Sequence, residues 1–410
     1  MESRKLSQKL VAVLLLAIAG IGLWTNLQPA KPIQVGVVAP ETKASPETKN
    51  VAKRPAAADP HFGYTPRPQE TRNFVRGLAK PYLAQAGPDL LVIRDRRPVV
   101  LYPFLTKAYE AHNGGKKWVV GSQGIGDCVS WGWGHAADIH LAVLWSHGES
   151  AEWKSAATEA IYGGSRVEGA GVSRGGWGDG SYGAAAAKWV RDWGVVFRQP
   201  YPEVSDAKSG TLDLSVYSSS RAKDWGNFGC GGANDNGRLD GMAKTHPIRS
   251  VVVVRSFDEA AAAISAGYPV AVCSGQGFAS TRDKDGFCAA RGSWSHCMCF
   301  IGVRYEPRPG LLCLNSWGPE WVGGPKWPDD QPDGTFWVDA RVATSMLDDG
   351  DSFAVSGYEG FPYRKLKHDA WVHAPAAAPG LHNAPVLVRR PRGVYDSSET
   401  ASRIDWQIAL

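Results

Sequence analysis

The sequence predicts an α+β protein built as two lobes. Stretches of helical character gather in the first half of the chain, and apolar, strand-like runs gather in the second. The residue usage agrees: 47 glycines and 17 tryptophans indicate loops and turns around bulky packing, not a helical bundle or coiled coil. A length of 410 residues allows two or three compact units with a substantial core.

In the first half, Cys128 to about Trp145 is mostly uncharged and reads as a buried helix. Gly132 and Gly134 each weaken that helix by about 1 kcal/mol relative to alanine, which suggests close packing against another element. Ala184 to Trp193 reads as a second helix, stopped by Gly194 in the position that favours a left-handed residue. In the second half, Val251 to Val254 reads as a buried strand. Ser256 and Glu259 then form a capping box for a helix that Gly267 closes. Further strands are expected at Pro269 to Cys273, Cys297 to Val303, Leu311 to Leu314 and Thr335 to Val338.

The ends differ from this middle. Arg4, Lys5 and Lys9 precede an unbroken apolar run from Leu10 to Trp24, with no charge until Lys31. Residues 1–27 are therefore expected to be a signal anchor or a signal peptide, with Ala17 and Ala19 forming an A-x-A pattern. Either reading gives a membrane or signal segment and an extracytoplasmic location, membrane-anchored or secreted. Residues 28–68 are rich in proline and poor in large apolar side chains, so they read as an extended linker. Residues 69–116 form an N-terminal extension, and 367–410, with an Ala/Pro stretch and a basic cluster, a flexible tail.

Several function classes receive no support. The 45 basic and 40 acidic residues leave a net charge of only +5, with no long Lys/Arg block, so nucleic acid is not an expected partner. Seven cysteines fit neither a disulfide scaffold nor a paired CxxC zinc pattern. His135 and His140 are not at the i, i+4 spacing of a zinc helix, and Cys297, Cys299 and Cys313 read as packed thiols, so no metal is expected. Cys273 and Cys288 enclose a short hydrophilic loop and are a candidate disulfide in an oxidising compartment.

Three segments carry chemistry together: Gln123-Gly124-Ile125-Gly126-Asp127-Cys128, then Ser295-His296-Cys297, then Asn315-Ser316-Trp317-Gly318. A cysteine at a loop-to-helix junction has its thiolate favoured by the helix dipole. A histidine on a facing strand can take the thiol proton. An asparagine on the next strand can fix the imidazole, and a glutamine shortly before the cysteine can donate to a developing oxyanion.

These segments resemble the papain-like (C1) cysteine peptidases. Asn315-Ser316-Trp317-Gly318 is similar to the family's Asn-Ser-Trp-Gly, and Gln123-Gly124 to its Gln-Gly. The order Gln, Cys, His, Asn agrees as well. The stretch around the nucleophile departs from the family, with Gly126-Asp127 before Cys128 and Val129 after it. Gly180-Ser181-Tyr182, followed by an Ala-rich helix, resembles the family's substrate-binding segment.

The resemblance implies a papain-like domain over 117–366. Its helical N-terminal lobe would cover about 117–240 and its antiparallel β-barrel-like C-terminal lobe about 241–366. It also implies Cys128, His296, Asn315 and Gln123 as catalytic residues, and Gly180, Tyr182 and Trp317 as substrate-binding residues, with Trp317 also shielding the His–Asn hydrogen bond. The implied activity is hydrolysis of peptide bonds through an acyl-enzyme, by a thiol protease that needs no cofactor. Its partner would be a protein or peptide substrate, and the protein is expected to be a monomer. An amidase or transpeptidase acting on cell-wall or isopeptide bonds, or an inactive peptide-binding relative, are the alternatives. No long inhibitory prosegment is recognisable before Lys117.

Overall fold

The computed structural model describes residues 62–92, 96–172, 178–204, 210–233, 235, 237–245 and 248–372. The apolar run at 10–24, most of the 28–68 linker and the tail beyond 372 lie outside these residues.

The described chain opens as an extended segment, 62–67, and continues into α1 (Pro68–Arg76), α2 (Leu83–Ala86) and α3 (Pro88–Val92). A short strand β1 (Val99–Val100) leads to α4 (Tyr102–His112). The helical half follows with α5 (Cys128–Ser146), α6 (Thr158–Gly164), α7 (Gly183–Asp192), α8 (Ser219–Phe228) and α9 (Arg238–Ala243), and the two-residue strands β2 (Pro200–Tyr201) and β3 (Leu212–Asp213). The strand-rich half comprises β4 (Ser250–Val253), α10 (Phe257–Ser265), β5 (Val270–Arg282), β6 (Cys288–Arg304), β7 (Gly310–Leu314), β8 (Thr335–Asp339), α11 (Ala340–Asp348) and β9 (Phe353–Ser356). The mixed, segregated order is the α+β arrangement expected from the sequence.

The main sheet is antiparallel throughout, in the order β4-β9-β5-β6-β7-β8. Where β5 begins, at Val270 opposite Phe300, β1 takes over the same side of β6, pairing Val100 with Gly302 and Val99 with Val303. No pairing of β4 with β8 occurs among the described strands, so this sheet has two ends where a closed barrel would have none.

α5 is the central helix, with its residues from Cys128 to His140 all buried; it packs on β6, β5 and β9. A helix apolar on every side belongs in a core. Gly132 is what lets it approach so closely: a Cβ there would lie 2.8 Å from the Met298 carbonyl oxygen and 2.9 Å from Cys297 Sγ. The other helix starts follow local chemistry. Ser256 accepts from the Glu259 N–H and so caps α10; the Glu259 carboxylate returns to the Arg255 N–H, one residue before the position a capping box predicts. Gly194, at φ 104°, ends the α7 region in the left-handed conformation.

Two sequence expectations need correcting here. β5 and β6 are far longer than the apolar cores at 269–273 and 297–303, because their ends form a hairpin arm that is largely exposed on β6 from Ala289 to Ser295. Cys273 and Cys288 are not bonded: Cys288 stands opposite Arg282 at the far end of the arm, and Cys273 is paired with Cys297.

Candidate active site

Cys128 is the first residue of α5 and is fully buried. Its sulfur faces the backbone N–H groups of Cys297 and Gly63. α5 thereby delivers the thiol to the stretch of β6 that begins with His296. On the adjacent chain, just past the end of β7, Asn315 accepts a 2.7 Å hydrogen bond from His296 Nε2 through Oδ1, which also takes the Ser316 N–H. His296 Nδ1 has no hydrogen-bond partner among the described residues. The Trp317 ring lies against the imidazole with centroids 4.5 Å apart, and Trp294 packs on Trp317 at 4.7 Å.

Gln123 is stitched to the same region. Its N–H donates to Ser316 O, its Oε1 accepts from the Ser316 hydroxyl, and the Gly318 N–H donates to Gly121 O. The Gln123 amide nitrogen donates to Ile125 O, within its own loop. Asp127, immediately before the thiol, is buried; one carboxylate oxygen accepts from the Tyr217 hydroxyl and Trp131 Nε1.

Residues 62–65 run extended between the two walls of this site. The N–H groups of Gly63 and Tyr64 donate to Ser295 O on one side. On the other, the Ser181 N–H donates to Gly63 O and the Thr65 N–H to Ser181 O, giving a parallel bridge between Tyr64 and Ser181. Gly63 fits because it has no side chain: a Cβ there would stand 1.7 Å from Gly126 O. Phe62 sets its ring edge-on to both His296 and Trp317, at 6.0 and 5.6 Å. Tyr64 inserts its buried phenol toward Asp351, which also accepts from the Gly183 and Ala184 N–H groups and the Thr71 hydroxyl. We call residues 62–67 the strap.

Burial sets the charge state. Desolvation pushes the Cys128 thiol well up, and the thiolate form that the helix start was expected to favour is disfavoured here; the nearby backbone N–H groups oppose this only in part. Desolvation also lowers His296 to about 4, against the opposing effect of its bond to Asn315. With the strap in place, thiol and imidazole are both held in their neutral forms.

The structure therefore brings Cys128, His296, Asn315, Gln123 and Trp317 into one neighbourhood. Of the 180–182 segment, the strap's backbone partner is Ser181; Gly180 donates its N–H to the Tyr162 hydroxyl, and Tyr182 precedes α7 as a buried residue. The strap itself, Asp351 and the Asp127–Tyr217 contact were not singled out by sequence reasoning. Backbone pairing leaves no signature in side-chain type, and only Gly63 hints at a close approach. Among the described residues, no group of three or more His, Cys, Asp or Glu side chains is placed to hold a metal ion.

No family model matches the chain, and the search of curated proteins finds no match. Solved structures do match the chain. Xylellain, a cysteine protease from Xylella fastidiosa, is 16% identical over 75% of this chain and 100% of its own, with a TM-score of 0.46. Digestive procathepsin L 3 of Tenebrio molitor larval midgut is 14% identical over 70% of this chain and 79% of its own, at 0.40. Bromelain from Ananas comosus, in complex with the E64 inhibitor, is 11% identical over 63% and 97%, at 0.36. The chain resembles papain-like cysteine proteases.

Proposed function

We propose that this protein is a papain-like cysteine peptidase, held in a latent form by its own strap. The observation that carries the reading is the seating of residues 62–65. An extended peptide is held by backbone hydrogen bonds with Ser181 and Ser295, its Gly63 N–H faces the Cys128 thiol, and His296, the residue after Ser295, is bonded to Asn315. Backbone pairing on both sides is how an extended peptide binds regardless of its side chains.

Once the strap leaves, water enters and the cost of charging both groups falls. The Cys128 thiol proton passes to His296 Nδ1, the ring nitrogen not committed to Asn315. The sulfur then adds to a peptide carbonyl carbon, and the negative charge moves to the carbonyl oxygen. The Cys128 N–H and the Gln123 amide, released from Ile125, stabilise that oxygen. His296 returns its proton to the departing amine as the C–N bond breaks. Water, deprotonated by the same imidazole, then hydrolyses the thioester. A protein or peptide substrate and an extracytoplasmic site of action belong to the same proposal.

The test uses protein treated to displace the strap, by mild denaturant or by proteolysis within residues 62–67. A peptidyl epoxide is expected to label Cys128 and to stop hydrolysis of unfolded casein, with both activities absent in Cys128→Ala. Labelling without hydrolysis of casein or peptide would leave only a peptide-binding relative. Turnover of peptidoglycan fragments in place of casein would favour an amidase.

A further inference from the structure

We propose that Cys273 and Cys297 form a cross-strand disulfide joining β5 to β6, one residue beyond His296. The two residues are register partners, their sulfurs lie 2.7 Å apart, and both are fully buried. Directly opposed residues of antiparallel strands have Cα atoms about 4.5–5.5 Å apart, within the roughly 4.4–6.8 Å that a disulfide spans. The bond therefore needs side-chain rotation and no movement of either strand. The other cysteines face different partners. Cys299 and Cys313 point to Phe300 O and Met298 Sδ, Cys288 stands opposite Arg282, Cys230 bonds to Asp240, and Cys128, although close enough to Cys297 for their charges to interact, faces the backbone N–H groups of Cys297 and Gly63.

The step is a two-electron oxidation, and the oxidant is a low-molecular-weight disulfide such as glutathione disulfide. One cysteine thiolate attacks a sulfur of the oxidant, whose S–S bond breaks and releases one glutathione thiolate. The second cysteine thiolate attacks the mixed disulfide and releases the other. The protein S–S bond forms, and the two protein thiol protons end on the two glutathione thiols. Because both sulfurs are sealed in the folded chain, the exchange takes place during folding, before α5 closes over them. Cys297 Sγ packs against Gly132, one turn along α5 from Cys128. The bond thus fastens β5 to the strand that carries the imidazole, directly behind the site.

The full chain, refolded with reduced and oxidised glutathione, is denatured and alkylated without reduction, then mapped by mass spectrometry. Cys273 and Cys297 are expected to escape alkylation and to appear as one linked peptide pair, lighter by two hydrogens, that separates on reduction. The remaining five cysteines are expected to be alkylated. Adding reductant should lower the thermal midpoint of the oxidised chain by several degrees and leave that of a Cys273→Ala, Cys297→Ala double variant unmoved. Alkylation of all seven cysteines would overturn the proposal, and so would a link from either residue to Cys288 or Cys128. This readout does not depend on peptidase activity, so it can fail while the proposed function stands, or succeed while that function fails.

Discussion

Asp127 occupies the position just before the nucleophile, and its burial has a measurable cost. Desolvation pushes its carboxyl up to about 8, while the bonds from Tyr217 and Trp131 pull the other way. The folded state keeps a proton that an unfolded aspartate releases near pH ~4. The stability this provides is complete below that pH and is lost as pH rises toward 8. Asp138 and Asp351, raised to about 7 by the same cause, have lost most of theirs by pH 7. Between pH 7 and 8 the thermal midpoint should therefore decline in the native chain and decline less steeply in Asp127→Asn, where only the remainder held by Asp138 and Asp351 is lost; an equal decline in the variant would refute this assignment. Gln123 makes a second prediction at the same scale. With the strap displaced, Gln123→Ala should reduce turnover by about 10²–10³-fold, the cost of removing one oxyanion donor, while iodoacetamide still alkylates Cys128. At this scale much of the site was readable, because Asn315-Ser316-Trp317-Gly318 and Gln123 are particular residue types in a particular order. Asp351 was not readable, since a lone aspartate far from the motifs looks like any other until Gly183, Ala184, Thr71 and Tyr64 are seen to converge on it.

Elements were legible where their ends carry side-chain signals. Ser256 and Gly194 marked helix boundaries to within a residue or two, and the runs at Val251 and Leu311 marked strands. The arm of β5 and β6 was missed because its exposed positions lack an apolar rhythm, and β1 because two residues make too short a pattern. Composition alone makes the strap the end of a proline-rich linker. Its extended backbone agrees with that reading, but its location in the site could not be foreseen from composition. Since Gly63 lies against Gly126 with no room for a methyl group, Gly63→Ala should unseat the strap. Overpacking of this kind costs about 1–3 kcal/mol, which corresponds to roughly five- to 150-fold faster alkylation of Cys128 at unchanged pH. An unchanged rate would mean that the strap does not limit access to the thiol.

For the molecule as a whole, the extension before residue 117 divides into two parts with different roles. The strap lies over the site, whereas β1 and α4 belong to the permanent core: Leu101, Phe104, Leu105 and Ala108 are all essentially inaccessible to solvent, and β1 completes one side of β6. Burying each large apolar side chain there contributes about 1.5–3 kcal/mol. A chain beginning at Pro68 should therefore fold, with a cooperative thermal transition and a readily alkylated Cys128. A chain beginning at Lys117 should lose that transition. A cooperative transition in the shorter chain would show that β1 and α4 are dispensable.

The strap's continuity with α1 has a consequence for competition. A ligand joined to its own receptor by a few residues is present at an effective concentration in the millimolar range, however dilute the protein. A cut upstream of Phe62 leaves that local concentration almost untouched, because the blocking residues remain tied to α1 on their other side. An incoming chain must outcompete a neighbour that never diffuses away, and its apparent affinity is reduced by the fraction of time the groove stands vacant. Severing the backbone between Tyr64 and Pro68 turns that resident into a short free peptide, and dilution then does the rest.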